Sequence, residues 1–220
     1  GAPFVALALV LVSKWRIFAV RPRFWLINIK TNLVDVIVSV SYVLLLAATQ
    51  SSIATQIALT VLFMLWLLVL KPRSRRLFMA LQSLTALVIG LTTLFMYSHY
   101  LETFSVTVLA WLIGYASARH IISAYEEENI EAIAAVWGLV VAEVAWVSFH
   151  WTLAYPLYGG IAVPQVAALM GVIGFAAYHY YDHWKRHDEN TSDKRLGWTL
   201  GICGVLIAVI LFVSRWDASL

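Results

Sequence analysis

The chain has 220 residues, 62% of them hydrophobic and 12% charged, with a formal net charge of +3 and a mean hydropathy of +0.82. Soluble domains carry about a quarter charged residues, so this composition excludes a water-soluble globule, a disordered tail and a nucleic-acid-binding domain. The single cysteine, Cys203, excludes an intrachain disulfide and a cysteine-based zinc site.

The first apolar run, Ala2 to Val12, is too short to cross a bilayer and is followed by Lys14, Arg16, Arg21, Arg23 and Lys30. A crossing helix needs about 20 apolar residues. With no basic flank before it and no small-residue cleavage site, the run does not read as a signal peptide. Residues 1–30 read as an interfacial or re-entrant segment, with the remnant of a longer first span as the alternative.

Seven segments then qualify as spans, approximately 31–49, 53–70, 77–97, 103–124, 130–154, 161–181 and 196–214. Lipid offers backbone groups no partner, so runs of this length are helices. Short connections make successive helices antiparallel neighbours. The expected fold is all-α: one polytopic integral membrane domain over residues 1–220, a bundle of seven transmembrane helices.

Seven crossings sort the basic residues. Lys14, Arg16, Arg21, Arg23, Lys30, Lys71, Arg73, Arg75, Arg76, Arg119, Lys185, Arg186, Lys194 and Arg195, 14 of the 15, fall on one side, and Arg215 alone on the other. The positive-inside rule makes the amino-terminal side cytoplasmic and the carboxyl terminus external. The expected partners of these cations are the bilayer itself and its anionic headgroups. Tryptophans and tyrosines gather at both boundaries, among them Trp25, Tyr178, Tyr181 and Trp184 inside and Tyr97, Tyr100, Trp151 and Tyr155 outside, as interfacial belts do.

Ionisable residues within spans are the informative ones, because they are costly there. Glu143 is midway along the fifth span, and Trp146 and His150 follow at i+3 and i+7 on the same face. A carboxylate, an indole and an imidazole in a stripe fit a substrate or ion path. Asp35, shallow in the first span, fits a structural ion pair with Arg119 or Lys30. Glu126, Glu127, Glu128 and Glu131 open the fifth span, where the helix macrodipole favours carboxylates. An acidic vestibule that attracts cations is the sharper alternative.

Histidines supply a second set. His179, His183 and His187 recur at i, i+4 and i+8 at the inner end of the sixth span, a spacing that chelates a transition metal when further ligands exist. His99 and His150 end the third and fifth spans on the outer side, while His120 and His179 or His183 end the fourth and sixth on the inner side. This layout resembles that of the dihaem cytochromes that carry electrons across membranes from ascorbate. The resemblance rests on these positions alone and implies two bis-histidine haems. Seven helices in this orientation also resemble the heliorhodopsins. Retinal needs a lysine within the last helix, and Lys14, Lys30, Lys71, Lys185 and Lys194 all lie outside the span cores, which excludes that cofactor.

Gly197, Gly201 and Gly204 give the last span a small-residue face, and Gly171, Gly174, Ala167 and Ala168 do so for the sixth, with Pro164 one turn into that helix. Such faces permit close helix approach within a bundle, between copies or in a complex. Three functions follow as expectations. The first is translocation or sensing of an ion or small solute through the intramembrane carboxylate. The second is redox chemistry on haem or metal, and the third a structural or assembly role with no small-molecule site.

Overall fold

The structure, a computed structural model, describes residues 2–15, 18–49, 52–125, 127–151, 153–156, 161–186 and 193–213. The long apolar runs satisfy their amides internally, as hydrocarbon demands, and form helices α1 (Ala2–Ser13), α2 (Trp25–Ala48), α3 (Ile53–Leu65), α4 (Arg76–Met96), α5 (Thr103–Ile122), α6 (Ile130–His150), α7 (Gln165–Arg186) and α8 (Asp193–Val213). A π-helical turn, Trp66–Leu70, extends α3 up to Lys71 and Pro72. Between α6 and α7 lies a small antiparallel hairpin of β1 (Ala154–Pro156) and β2 (Ala162–Pro164), pairing Tyr155 with Val163.

Among the described residues six segments are long and apolar enough to cross a membrane: Pro22–Ala48, Ile53–Leu70, Arg76–Met96, Thr103–Ile122, Ile130–His150 and Lys194–Val213. The chain therefore has the architecture of a multi-pass membrane protein. It departs from the sequence expectation in three places. The first span starts at Trp25, six residues earlier than 31, because the segment after a short 3-10 turn at Pro22–Phe24 is already helical. The fifth helix stops at His150, and the hairpin takes up residues assigned to its end. Pro164 closes β2 rather than lying inside the sixth helix, so α7 starts at Gln165 and runs on through Arg186. Its last turns carry His179, Asp182, His183 and Lys185, and α7 is not among the six apolar segments.

α1 spans 12 residues, about 18 Å of rise, and lies against α2. Lys14 just beyond it pairs with Asp35 of α2, to which Lys71 also bonds at 3.0 Å. Asp35 thus ties the ends of α1 and α3 to α2, with lysines other than the one the sequence suggested.

α4 is the central helix, packed against α2, α5 and α7, and Leu91, Val106, Val141 and Met170 are completely enclosed around it. The tightest pairing is α5 with α6. A Cβ at Gly114 would come within 2.7 Å of Val141 and 3.0 Å of the Gly138 Cα, and one at Gly138 within 2.9 Å of the Trp111 carbonyl oxygen. α8 packs mainly on α7 and is otherwise bare, and no atom lies within 4 Å of a Cβ added at Gly197, Gly201 or Gly204. At its far end the Ile210 carbonyl accepts bonds from Tyr155 Oη at 2.7 Å and Gln165 Nε2 at 3.1 Å.

Gly114→Val and Gly138→Val are each expected to destabilise the protein by about 1–3 kcal/mol through overpacking, while Gly201→Val leaves stability unchanged. Thermal unfolding in detergent, followed by helical circular dichroism, checks this. Equal effects at the three positions would refute the packing argument.

Candidate functional site

Hydroxyls on these helices mostly bond back to the carbonyl one turn earlier, as Thr85 does to Leu81, Thr92 to Val88 and Thr107 to Thr103. Ser83 of α4 is different. It is 6% exposed, and its Oγ has no hydrogen-bond partner. A buried hydroxyl without a partner costs about 1–3 kcal/mol. Ser39 Oγ and Trp66 Nε1 share that condition, but neither lines the cavity that Ser83 does.

That cavity measures about 210 Å³ and is bounded by the basic-end halves of α4, α5, α6 and α7. Its walls are mainly apolar, with Leu84, Leu87, Ala118, Trp137 and Phe175 prominent. Among the described residues the polar groups on it are Ser83, Ser117, Tyr178, His179 and Tyr181, and no lysine, arginine, aspartate or glutamate lines it. Ser117 Oγ is engaged with the Gly114 carbonyl at 2.8 Å. A small molecule with an apolar body and one hydrogen-bonding group matches this lining.

Behind Ser83 stands a rigid polar support. Gln82 Nε2 donates to the carbonyls of Leu70 at 2.5 Å and Arg73 at 2.9 Å, satisfying the end of α3. With both amide hydrogens so directed, Gln82 Oε1 is the acceptor at 2.6 Å from His120, which therefore carries its proton on Nε2. His120, one of the candidate haem ligands, thus has that nitrogen occupied by α4.

Near the basic end, beyond the lining residue Tyr181, hydrogen bonds and ion pairs join α7 to the α5–α6 connection. Tyr125 Oη donates to Asp182 at 2.7 Å, and the Arg76 guanidinium lies 4.9 Å from the Tyr125 ring centre. Tyr181 donates to Glu127, and Lys185 pairs with the same carboxylate oxygen at 2.5 Å. These bonds hold α7 to the α5–α6 connection. Hydrogen bonds from Lys185 and Tyr181 keep the Glu127 carboxyl below the ordinary glutamate range. Burial and the bond to Asp182 push the Tyr125 hydroxyl well above its ordinary value.

The remaining sequence candidates are dispersed. Glu143 is exposed on the outer face of α6 with Leu139, Val140, Trp146 and Val147, whereas the cavity is bounded on this helix by Ile133 and Trp137. Trp146 and His150 do stay together, ring centres 4.8 Å apart, and His150 Nδ1 donates to the Trp146 carbonyl at 2.8 Å. His99 lies against Tyr100 with ring centres 3.8 Å apart. His179 sits between Phe175 and Tyr178 on the cavity wall, and His183 is half-buried one turn further on.

Of the acidic run, Glu126 lies outside the described residues, as does His187. Glu128 is exposed, and Glu131 is held by Lys30 and Arg119, each at 3.1 Å, and by Tyr115. Among the described residues no three histidine, cysteine, aspartate or glutamate side chains converge as a metal site. Sequence reasoning passed over Ser83 and Gln82; their adjacency in the mainly apolar α4 was the available signal. No protein-family model matches the chain, and no curated protein or solved structure shows significant similarity to it.

The lowered Glu127 value fixes a sign. Its contribution to the α7 anchorage is complete above the ordinary glutamate pKa of 4.5 and is lost as pH falls through the lower folded value. Amide hydrogen exchange in the last turns of α7, corrected for intrinsic rates, is expected to be faster at about pH 3 than at about pH 6. Glu127→Gln is expected to show the faster exchange at both. A variant that keeps the full pH dependence would assign it to other groups.

Proposed function

We propose that the chain is a seven-crossing membrane bundle, its basic end cytoplasmic, that binds a small uncharged amphipathic solute in the α4–α7 cavity in order to sense or translocate it. The observation that carries this reading is the unpartnered, buried Ser83 hydroxyl on the wall of an apolar cavity. A bound polar group would remove its desolvation cost. The seventh crossing is α7, whose 22 residues rise about 33 Å, enough for a hydrocarbon core. The orientation rests on the basic residues that cluster at one end of the helices.

The intramembrane carboxylate has a different part in this reading. An exposed carboxyl in mid-span is costly against lipid, and the open glycine face of α8 tolerates close helix approach. Both favour contact with a second copy or another membrane protein, an assembly role that accompanies solute binding. Native mass spectrometry from nanodiscs is expected to show a dimer or larger oligomer that Glu143→Leu or Gly201→Leu weakens. A monomer in the parent would remove this second role.

Binding is tested with a long-chain alcohol bearing a photoactivated diazirine, in nanodiscs. Saturable labelling of Trp137, Phe175 or Leu87 is expected. Ser83→Ala should weaken it by a few-fold to about tenfold, the worth of one hydrogen bond, without lowering thermal stability, because no bond is lost in the unliganded protein. Ala118→Trp, which fills the cavity, should abolish saturable labelling. Failure of both this alcohol and a short, water-soluble diazirine alcohol to label the parent saturably would overturn the reading.

A further inference from the structure

The proposed solute has to enter, and the structure offers two unequal routes. Toward the basic end the approach passes the bonds of Tyr125 to Asp182 and of Tyr181 and Lys185 to Glu127, the last pair at 2.5 Å. Opening there means separating charge-assisted bonds, which are about twice as strong as neutral ones. The lining residues that are themselves exposed tell the opposite story. They are Leu77, Leu81, Ile133, Phe175 and Ala177, all apolar, so the open rim of the cavity is matched to hydrocarbon.

The rim adjoins a second volume. A more open groove of about 650 Å³ runs between α4, α7 and α8, and Leu84 and Phe175 belong to the walls of both spaces. Along α7 it extends from Phe175 to Ala167, about 12 Å of helix, away from the basic end. Ala167, Ala168, Gly171 and Cys203 keep it wide, and Thr199 is its one hydroxyl residue. Phe175 is 41% exposed, so its side chain has room to swing.

We infer that the solute enters laterally from the bilayer between α4 and α7, past Leu84 and Phe175, and is a neutral single-chain amphiphile that lies with its polar head at Ser83 and its chain in the α4/α7/α8 groove. This rests on the cavity being a binding site, as proposed above. The polarity of the two spaces sets the orientation. The hydrogen-bonding group, Ser83, lies seven residues along α4 from Arg76, about 10 Å from the basic end. The groove continues from there toward mid-bilayer. A lipid of the basic-end leaflet has its head and chain in that same order. The head is uncharged, because among the described residues no lysine, arginine, aspartate or glutamate lines the cavity to pair with a charge.

The test measures how fast the diazirine alcohol, delivered from phosphatidylcholine vesicles, reaches the cavity in full-length protein in proteoliposomes. Ala168→Phe, which narrows the groove, is expected to slow cavity labelling about tenfold. Phe175→Ala is expected to speed it, and Glu127→Gln to leave it unchanged. Circular dichroism melts identical to the parent certify that each variant is folded. A rate indifferent to both groove variants but raised by Glu127→Gln would overturn lateral entry. A short, water-soluble diazirine alcohol separates the two levels of argument. If it labels the cavity in a Ser83-dependent way while the long-chain alcohol does not, the lateral route is wrong and the binding site stands. If neither labels saturably, both fall.

Discussion

The contact of α5 with α6 at Gly114 and Gly138, where a methyl group on either side would strike its neighbour at 2.7–2.9 Å, is the foundation of this bundle. Lipid tails are as apolar as the side chains that leave them, so burying leucine yields little when helices associate in a membrane. Dispersion between closely fitted surfaces and polar bonds between helices take over. With both glycines in place the two backbones approach closely, and α4 then packs onto α5 around Leu91, Val106 and Val141. Further from that contact the packing thins, until α8 is held chiefly by α7 and two bonds to the Ile210 carbonyl.

Polar bonds supply the second layer of cohesion, and they concentrate at the basic end. Asp35 gathers Lys14 and Lys71, Glu131 gathers Lys30, Arg119 and Tyr115, and Glu127 gathers Lys185 and Tyr181. Each carboxylate joins segments far apart in the chain, so the basic residues that sort the crossings also fasten the helix ends together. Gln82 does the same without charge, closing the α3–α4 turn and fixing His120. Among the described residues the buried polar atoms without a partner are Asp35 Oδ1, Ser39 Oγ, Trp66 Nε1 and Ser83 Oγ, and of these Ser83 lies on the cavity wall. The Ser83 cavity lies between the tight α5–α6 pair and α7, which touches α6 only lightly.

Much of the fold was legible in composition and apolar run length, because each spanning helix must satisfy its own backbone and therefore announces itself locally. Ile53–Leu70 reads the same from sequence and structure, as do the starts of α5 and α6. The hairpin at Ala154–Pro164 was not legible, since two three-residue strands leave no periodicity to detect. The site was the harder problem. Glu143, Trp146 and His150 share a helix face as their spacing requires, but spacing cannot say whether that face turns inward, and it turns out.

The sequence by itself determined the solvent of this protein, the number of its long apolar helices to within one, and the end of the bundle at which charge would gather. These follow from transfer free energies that act residue by residue. Only the tertiary structure decided which polar groups pair, which helix faces meet and where space is left over. Asp35 found Lys14 and Lys71, His120 found Gln82, and Ser83 found a cavity. Those outcomes depend on how whole helices fit against one another, and a gap between four helices is a property of none of them alone.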